Sequence, residues 1–190
     1  MRASLLLMRA PLAIVVALAA LAAAASFASP AAAAAAAPTT CANAERIPEG
    51  ETQRREAMRT IRCLVNIERK KVGAVALLSS SQLARVAQRQ STDMVRHQYV
   101  GHVNSAGEHL RKRVARVGYP RLYSGEAVLW GTGTQRSPAG LVRKLMTTPA
   151  HKAIMLAARF RELGIGLVLR PPLAGRPNGA TLTMTVGRRR

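Results

Sequence analysis

The sequence predicts a fold of the α+β class, because helix patterns and strand patterns both occur after residue 52. Five stretches place apolar residues at helical spacing, and three shorter runs are typical of strands. The first of these strands, residues 124–130, is mainly apolar and contains a single carboxylate, that of Glu126. Apolar runs of this kind are typical of strands that are buried on both faces. We therefore expect residues 124–130 to form the central strand of the sheet.

Capping residues predict where the helices begin and end. The first helix is expected over residues 53–72, with Gly73 as its stop, and the second is expected to follow Ser80 as N-cap. Ser105 and Glu108 have the spacing of a capping box, which predicts that a third helix begins there. Two further helices are expected to begin at Ser-Pro and Thr-Pro pairs, Ser137-Pro138 and Thr148-Pro149.

Two more strands are expected near the C-terminus, over residues 163–169 and 181–186. The first of them contains Gly164 and Gly166, and glycines inside a strand indicate that another backbone approaches closely. The second alternates polar and apolar residues, which is typical of a strand with two different faces.

Residues 1–37 have the composition of a secretory signal peptide. Arg2 and Arg9 supply a positive start, residues 11–25 are apolar, and an alanine-rich tract follows. We expect cleavage within residues 28–37, where small residues recur, and hence a secreted, extracellular protein. The alternative is an uncleaved membrane anchor, since the stretch is about long enough to span a bilayer.

The remaining chain divides into an N-terminal arm, residues 38–52, a folded domain, residues 53–187, and a basic tail, residues 188–190. Its two cysteines are Cys41 and Cys63, and an exported chain meets oxidising conditions. A single disulfide between them is the simplest outcome, and it would stabilise the fold by about 3 kcal/mol in the chain-entropy model. The alternative is two free thiols, with Cys63 packed in the core.

The chain is strongly basic, with a formal net charge of +20 and 24 arginines among its 29 basic residues. Loss of Arg2 and Arg9 with the signal peptide would leave +18. Such a charge predicts attraction to polyanions, which for a secreted protein are anionic cell-wall polymers, lipid headgroups or extracellular nucleic acid. Specific nucleic-acid recognition is not expected, because the few aromatic residues are too scattered to form a stacking platform. A genome-wide preference for arginine and alanine codons would produce the same composition without any binding role.

Glu126 is the first candidate functional residue, because a carboxylate in a buried strand needs a partner. The candidate partners are His102, on a loop beside Gly101, and His151, in the first turn of the fifth helix. The helix dipole disfavours the protonated ring at that position. Two imidazoles and one carboxylate could hold a divalent metal with an open position and polarise a water molecule. The alternative is that Glu126 caps the end of the strand in solvent.

Seven short segments follow one another in a recognisable order. They are 63–69 (CLVNIER), 83–94, 99–102 (YVGH), 115–119 (ARVGY), 125–126 (GE), 148–153 (TPAHKA) and 160–166 (FRELGIG). Together they resemble the CAP superfamily, which comprises cysteine-rich secretory proteins, antigen 5 and plant pathogenesis-related proteins. The resemblance is strongest to the bacterial secreted branch, whose members carry an SCP-like domain.

The resemblance implies a three-layer α-β-α sandwich with a small central antiparallel sheet. It also implies a surface cleft of histidine and glutamate residues that in some members binds a divalent metal. On the family motifs, His102 matches the cleft histidine, Glu126 the Gly-Glu-Asn carboxylate, and His151 the histidine of the bacterial Ser-Pro-Gly-His motif. These three residues are therefore candidate ligands for a metal such as zinc, and candidate catalytic residues.

The chain departs from the family motifs at several positions. Ala127 and Ile154 stand where the family usually has asparagine, and Leu145 stands where it usually has tryptophan. Thr148 and Arg159 fall where eukaryotic members carry a second glutamate and a second histidine. This reduced ligand set counts against tight metal binding.

Three functions are compatible with these observations. The leading hypothesis is a secreted, non-catalytic and monomeric binding module whose basic surface holds it at the cell envelope through anionic polymers or lipid. The alternative is a metal-assisted hydrolase of peptide, ester or cell-wall substrates that uses His102, Glu126 and His151. A third hypothesis is a binder of a small apolar ligand in a groove between helices.

Overall fold

A computed structural model of the protein describes residues 40–176 and 178–190. The predicted signal peptide lies outside the described residues. The five helices of the described part are α1 (Gly50–Lys71), α2 (Ser81–His97), α3 (Leu110–Arg116), α4 (Pro138–Thr147) and α5 (Pro149–Leu156). The strands are β1 (Leu78–Ser79), β2 (Arg121–Thr132), β3 (Glu162–Val168) and β4 (Gly179–Arg189). None of these helices is long and apolar enough to cross a membrane.

The four strands form one mixed sheet in the order β1-β3-β4-β2. Strand β4 pairs antiparallel with both β2 and β3, whereas the two-residue strand β1 runs parallel to β3. The expectation of a central strand at residues 124–130 is therefore wrong, because β2 lies at an edge. β2 is nevertheless apolar, because the helices α3, α4 and α5 all pack against it and bury its side chains. The sheet is also not wholly antiparallel, because the short β1 joins it in the parallel direction.

One face of the sheet packs against α1, α4 and α5. Alternate residues of the strands point to this side, as the two-residue period of a strand requires. They include Ala127, Leu129, Leu163, Leu167, Leu182, Met184 and Val186, all almost completely buried. Ile61 and Val65 of α1, Leu141 and Leu145 of α4 and Met155 of α5 complete this core.

The opposite face of the sheet packs against α2, which crosses it at very short range. A Cβ atom added to Gly164 would lie 2.0 Å from the backbone carbon of Leu83, and one added to Gly166 would lie 2.3 Å from that of Ala87. The close approach predicted from these two glycines is therefore confirmed. Together with α1, α4 and α5 on the other face, α2 and α3 complete the three-layer α-β-α arrangement.

Two of the predicted helix caps are confirmed. The hydroxyl of Ser80 accepts a hydrogen bond from the backbone N–H of Leu83, at 3.4 Å, and Ser137 accepts one from Gly140, at 3.1 Å. Helix α5 begins at the expected Thr-Pro pair, but the hydroxyl of Thr148 does not cap it. It donates instead to the carbonyl of the preceding helix, at Lys144.

The predicted capping box at the start of α3 is wrong, because the helix begins only at Leu110. The backbone N–H of Ser105, which Glu108 would accept in a capping box, donates instead to Asp93 of α2, at 2.8 Å. Asn104 accepts a hydrogen bond from the backbone N–H of Glu108, at 2.7 Å, and thereby closes a turn before the helix. Competition from a carboxylate on another element decides this local geometry.

The N-terminal arm is fastened to α1 and α4. Cys41 and Cys63 form the predicted disulfide, which joins the arm to α1 across a separation of 22 residues. The hydroxyl of Thr60 donates to the carbonyl of Ala42, at 3.0 Å. Helix α1 begins at Gly50, slightly earlier than the sequence indicated, and so takes up the end of the expected arm.

Candidate functional site

Strand β2 places the carboxylate of Glu126 on the face of the sheet that α2 and α3 cover. The side chain is 2% exposed. Its Oε1 lies 3.0 Å from Nδ1 of His102. Because an ionised carboxylate only accepts hydrogen bonds, Nδ1 of His102 carries the proton and donates it. His102, one of the two partners that the sequence suggested for Glu126, therefore contacts it in the structure.

A third member of this group, Arg113, was not anticipated from the sequence. Its Nη1 and Nη2 each donate to one oxygen of Glu126, both at 3.0 Å, in a bidentate ion pair. The arginine side chain is only 6% exposed. We refer to His102, Arg113 and Glu126 as the Glu126 cluster.

A sequence signal for this buried arginine exists on α3. The apolar stripe of the helix consists of Leu110, Val114 and Val117, and position 113 falls on the same side at helical spacing. An arginine on a buried stripe needs a carboxylate partner inside the protein. Glu126 is the buried carboxylate that meets this need.

The loop between α2 and α3 carries His102 and is held by side chains from both helices. Gln98 ends α2 in the left-handed conformation (φ 55°) and turns the chain into the loop. Nε2 of Gln90 donates to the carbonyl of Gly101, at 2.8 Å, and Nη2 of Arg113 donates to the carbonyl of His102, at 2.7 Å. The imidazole of His102 is 54% exposed, so its outer edge faces solvent.

Asp93 anchors the same loop farther along. It accepts hydrogen bonds from the hydroxyl of Tyr99, at 2.5 Å, and from the backbone and hydroxyl of Ser105, at 2.8 and 2.6 Å. Burial alone would raise the pKa of Asp93, but these hydrogen bonds outweigh it and hold the pKa below its usual range. The ionised carboxylate is thus part of what fixes the loop.

His151 lies in the first turn of α5 and is half-buried. Burial lowers the pKa of its imidazole below its usual value, and repulsion from His102 acts in the same direction. Within the described part of the chain, Nδ1 of His151 is buried without a hydrogen-bond partner. Burial therefore acts in the same direction as the effect predicted from the helix dipole, since both disfavour the protonated ring.

The Glu126 cluster does not offer the three-ligand arrangement that the sequence suggested for a metal. Over residues 40–176 and 178–190, no three His, Cys, Asp or Glu side chains are grouped so that they could hold a metal ion. Both oxygens of Glu126 are already bound to a cationic guanidinium. Metal binding and catalysis by His102, Glu126 and His151 stay predictions.

A groove lies between α1 and α2, beside the two-residue strand β1 at the edge of the sheet. Its volume is about 380 Å³, within the range of sites that bind small molecules. The apolar part of its lining consists of Met58, Ala84, Leu163 and Ile165, and its rim carries Arg55, Arg59 and Arg62. The binding of a small apolar ligand, as in the third hypothesis, stays a prediction.

The sequence model of the cysteine-rich secretory protein family, CAP, matches residues 63–174, which is more than half of the chain. The chain belongs to this family. The match confirms the resemblance seen in the seven sequence segments, and it covers α2, α3 and the Glu126 cluster. A comparison with curated proteins found no match.

Solved structures of bacterial proteins share the fold. An extracellular protein with an SCP domain from Bacillus anthracis has a TM-score of 0.60 and 20% identity, over 75% of this chain and 45% of that one. An outer surface protein from Borrelia burgdorferi has a TM-score of 0.61 and 17% identity, over 71% of this chain and 94% of that one. A cysteine-rich secretory protein from Staphylococcus aureus has a TM-score of 0.56 and 16% identity, over 74% and 41%. The chain thus spans less than half the length of the Bacillus and Staphylococcus proteins.

Proposed function

We propose that this protein is a secreted, non-catalytic member of the CAP family whose basic surface binds anionic polymers of the cell envelope. The proposal rests on the large excess of basic over acidic residues. The chain has 29 lysines and arginines, of which only Arg2 and Arg9 precede residue 40, against nine acidic residues. Similar structures come from proteins described as extracellular or outer surface proteins, which supports a location where such polymers occur.

Ion pairs neutralise only a minority of the basic residues. Eight of the nine acidic residues form ion pairs, with His97, His102 and nine lysines and arginines as their partners. Across the described residues, the other 18 lysines and arginines have no acidic partner. A surplus of this size produces a positive potential that attracts polyanions at low ionic strength.

The arginines on the helices are arranged in rows at helical spacing, so that each row follows one side of its helix. The rows are Arg55, Arg59 and Arg62 on α1 and Arg85, Arg89 and Arg96 on α2. Closely spaced guanidinium groups suit the repeated phosphates or carboxylates of a polymer, because each can bind two oxygens at once. We call the first set the α1 arginine row.

The test is binding of the full-length protein to purified wall teichoic acid and to lipopolysaccharide over a range of salt concentrations. We expect the affinity to fall steeply as NaCl rises, because each arginine that binds a charged group of the polymer releases a counterion. Changing the three arginines of the α1 row to glutamine should make this dependence less steep. The slope of log K against log salt should fall by about one for each arginine that takes part in binding.

A matched control removes the same charge elsewhere, through Arg170→Gln, Arg176→Gln and Arg190→Gln, which are exposed positions. A smaller effect in this control would locate binding on the α1 row, and an equal effect would indicate diffuse attraction. Failure of the wild-type protein to bind either polymer at low salt would refute the proposal.

The groove between α1 and α2 supports a second candidate function, the binding of an anionic amphiphile. The apolar lining suits an alkyl chain, and the α1 arginine row at the rim suits a carboxylate or phosphate. Native mass spectrometry after mild extraction would detect a co-purified lipid. A clean mass of the protein alone, together with no uptake of added fatty acid, would count against this function.

Metal-assisted hydrolysis by His102, Glu126 and His151 is the third candidate. The hydrogen bond between His102 and Glu126 supports it, and the ion pair of Glu126 with Arg113 weighs against it. Loss of turnover in Glu126→Ala would support this candidate. Absence of hydrolysis across peptide, ester and glycan substrates would eliminate it.

A further inference from the structure

Arg113 makes four hydrogen bonds that leave its guanidinium almost fully engaged. Two go to the carboxylate of Glu126, at 3.0 Å each, and one goes to the carbonyl of His102, at 2.7 Å. The fourth runs from Nε to the carbonyl of Glu108, at 3.3 Å. One side chain therefore joins α3, β2 and the loop that carries His102.

The guanidinium occupies the place that a cation bound to Glu126 would need. A carboxylate oxygen has about two lone-pair positions. Oε1 uses both, for Arg113 and for Nδ1 of His102, and Oε2 uses one for Arg113. A divalent ion at the remaining position would lie close to a positive charge inside the protein, where water screens repulsion poorly.

The geometry points to Arg113 as the cation that pairs with Glu126 in this cluster, in the position that a metal ion would otherwise occupy. Its guanidinium neutralises Glu126 and holds the backbone carbonyl of His102. It follows that this chain does not bind divalent metal through Glu126. Arg113 is a positioning residue for His102, and the inference is independent of the basic surface proposed above.

The test is a calorimetric titration of the full-length protein with zinc chloride. In the wild-type protein we expect no change in zinc binding when Glu126→Gln is introduced, because the carboxylate makes no contribution. Arg113→Met removes the competing cation and leaves Glu126 and His102 side by side. We expect this variant to bind zinc at least tenfold more tightly than wild type, a gain that a purely structural role for Arg113 does not predict.

Two double variants assign the gain to the cluster. Adding His102→Ala or Glu126→Gln to Arg113→Met should return zinc affinity to the wild-type level. Arg113→Lys retains the positive charge and should behave like wild type. A folded Arg113→Met protein without added zinc affinity would overturn the inference.

Arg113→Met leaves the buried carboxylate of Glu126 without its arginine partner, and losing one partner of a buried ion pair destabilises proteins. If this variant does not fold, Arg113→Gln serves in its place, because a neutral amide can still donate one hydrogen bond to Glu126. The titration of wild type and Glu126→Gln needs neither variant. Zinc binding by wild type that weakens tenfold or more in Glu126→Gln would overturn the inference directly.

Discussion

Arg69 is completely buried near the C-terminal end of α1, and no carboxylate pairs with it among the described residues. Its guanidinium donates to four backbone carbonyls, those of Val75, Met155, Ala157 and Phe160, at 2.5 to 3.3 Å. Burial lowers the pKa of this side chain. The four acceptors lie in the loop after α1, at the end of α5 and in the segment between α5 and β3, so Arg69 fastens these segments together.

Replacing Arg69 by methionine should strongly destabilise the protein. The substitution keeps much of the side chain but leaves the carbonyls of Val75 and Met155 without a donor and removes one donor from each of two others. We expect a loss of about 3 kcal/mol or more in the free energy of unfolding. Urea denaturation monitored by circular dichroism would measure it. The exposed neighbour provides the control, since Lys70→Met should change stability by less than about 0.5 kcal/mol.

His151 should make stability depend on pH. The pKa of its ring lies below the value of 6.5 that it has in the unfolded chain. Below about pH 6.5 the unfolded chain therefore binds a proton at this ring that the folded protein does not bind. The free energy of unfolding consequently falls as the pH falls below about 6.5. We expect His151→Gln to lose less stability than wild type between about pH 7.5 and pH 5.5.

Thermal denaturation across this pH range would measure the effect, with His109→Gln as the control because His109 is exposed. A wild-type protein and a His151→Gln variant that lose stability equally would show that the ring does not carry the pH dependence.

At the level of elements, the packing of α2 on β3 depends on two glycines that leave no room for a side chain. The backbone of α2 fills the space in which a Cβ atom of Gly164 or Gly166 would lie. This close packing brings Ser91 of α2 within 2.8 Å of Thr183 on β4, so polar groups are paired across the interface. Any side chain at the glycines would have to push the helix away from the sheet.

Gly164→Ala should therefore destabilise the protein by about 3 kcal/mol or more, since the added carbon meets backbone, which cannot move aside as a flexible side chain can. Gly101→Ala is a suitable control, because a Cβ atom there would meet only Tyr99, at an ordinary contact distance of 3.5 Å. The two variants would be compared by urea denaturation. Equal stability of the two variants would contradict the role assigned to the packing of α2 on β3.

The helix caps show when a prediction from a short sequence motif is correct. The caps at Ser80 and Ser137 depend only on residues within one turn of the helix, and both are confirmed. The capping box at Ser105 fails because Asp93, on another helix, accepts the backbone N–H of Ser105 that Glu108 would have accepted. A local motif is thus reliable when nothing distant competes for the same donor.

At the level of the whole molecule, the surplus of positive charge should oppose folding. Like charges repel more strongly in the compact state than in the expanded chain. Changing Arg85, Arg89 and Arg96 to glutamine should raise the melting temperature at low salt, and the gain should shrink at about 0.5 M NaCl, where repulsion is screened. None of these three arginines forms an ion pair in the described part of the chain.

Differential scanning calorimetry at both salt concentrations would measure this effect. The control removes the same charge from paired arginines, Arg46, Arg55 and Arg143, whose replacement also removes attraction. A larger gain in the control than in the unpaired set would contradict self-repulsion as the cause.

The sequence by itself determined the α+β class, the order of the five helices and the three longer strands, the disulfide partners and the need of Glu126 for a partner. The helices and strands follow from residues close together in the chain. The disulfide and the need of Glu126 for a partner follow from residue type, since the domain has only two cysteines and a buried carboxylate requires a partner. The tertiary structure decided that β2 lies at an edge, that Arg113 pairs with Glu126 and that Arg69 belongs to the core. The acceptors of these two arginines lie up to 91 residues away in the chain. Spacing within an element cannot specify such partners, because only the packing of elements brings them within hydrogen-bonding distance.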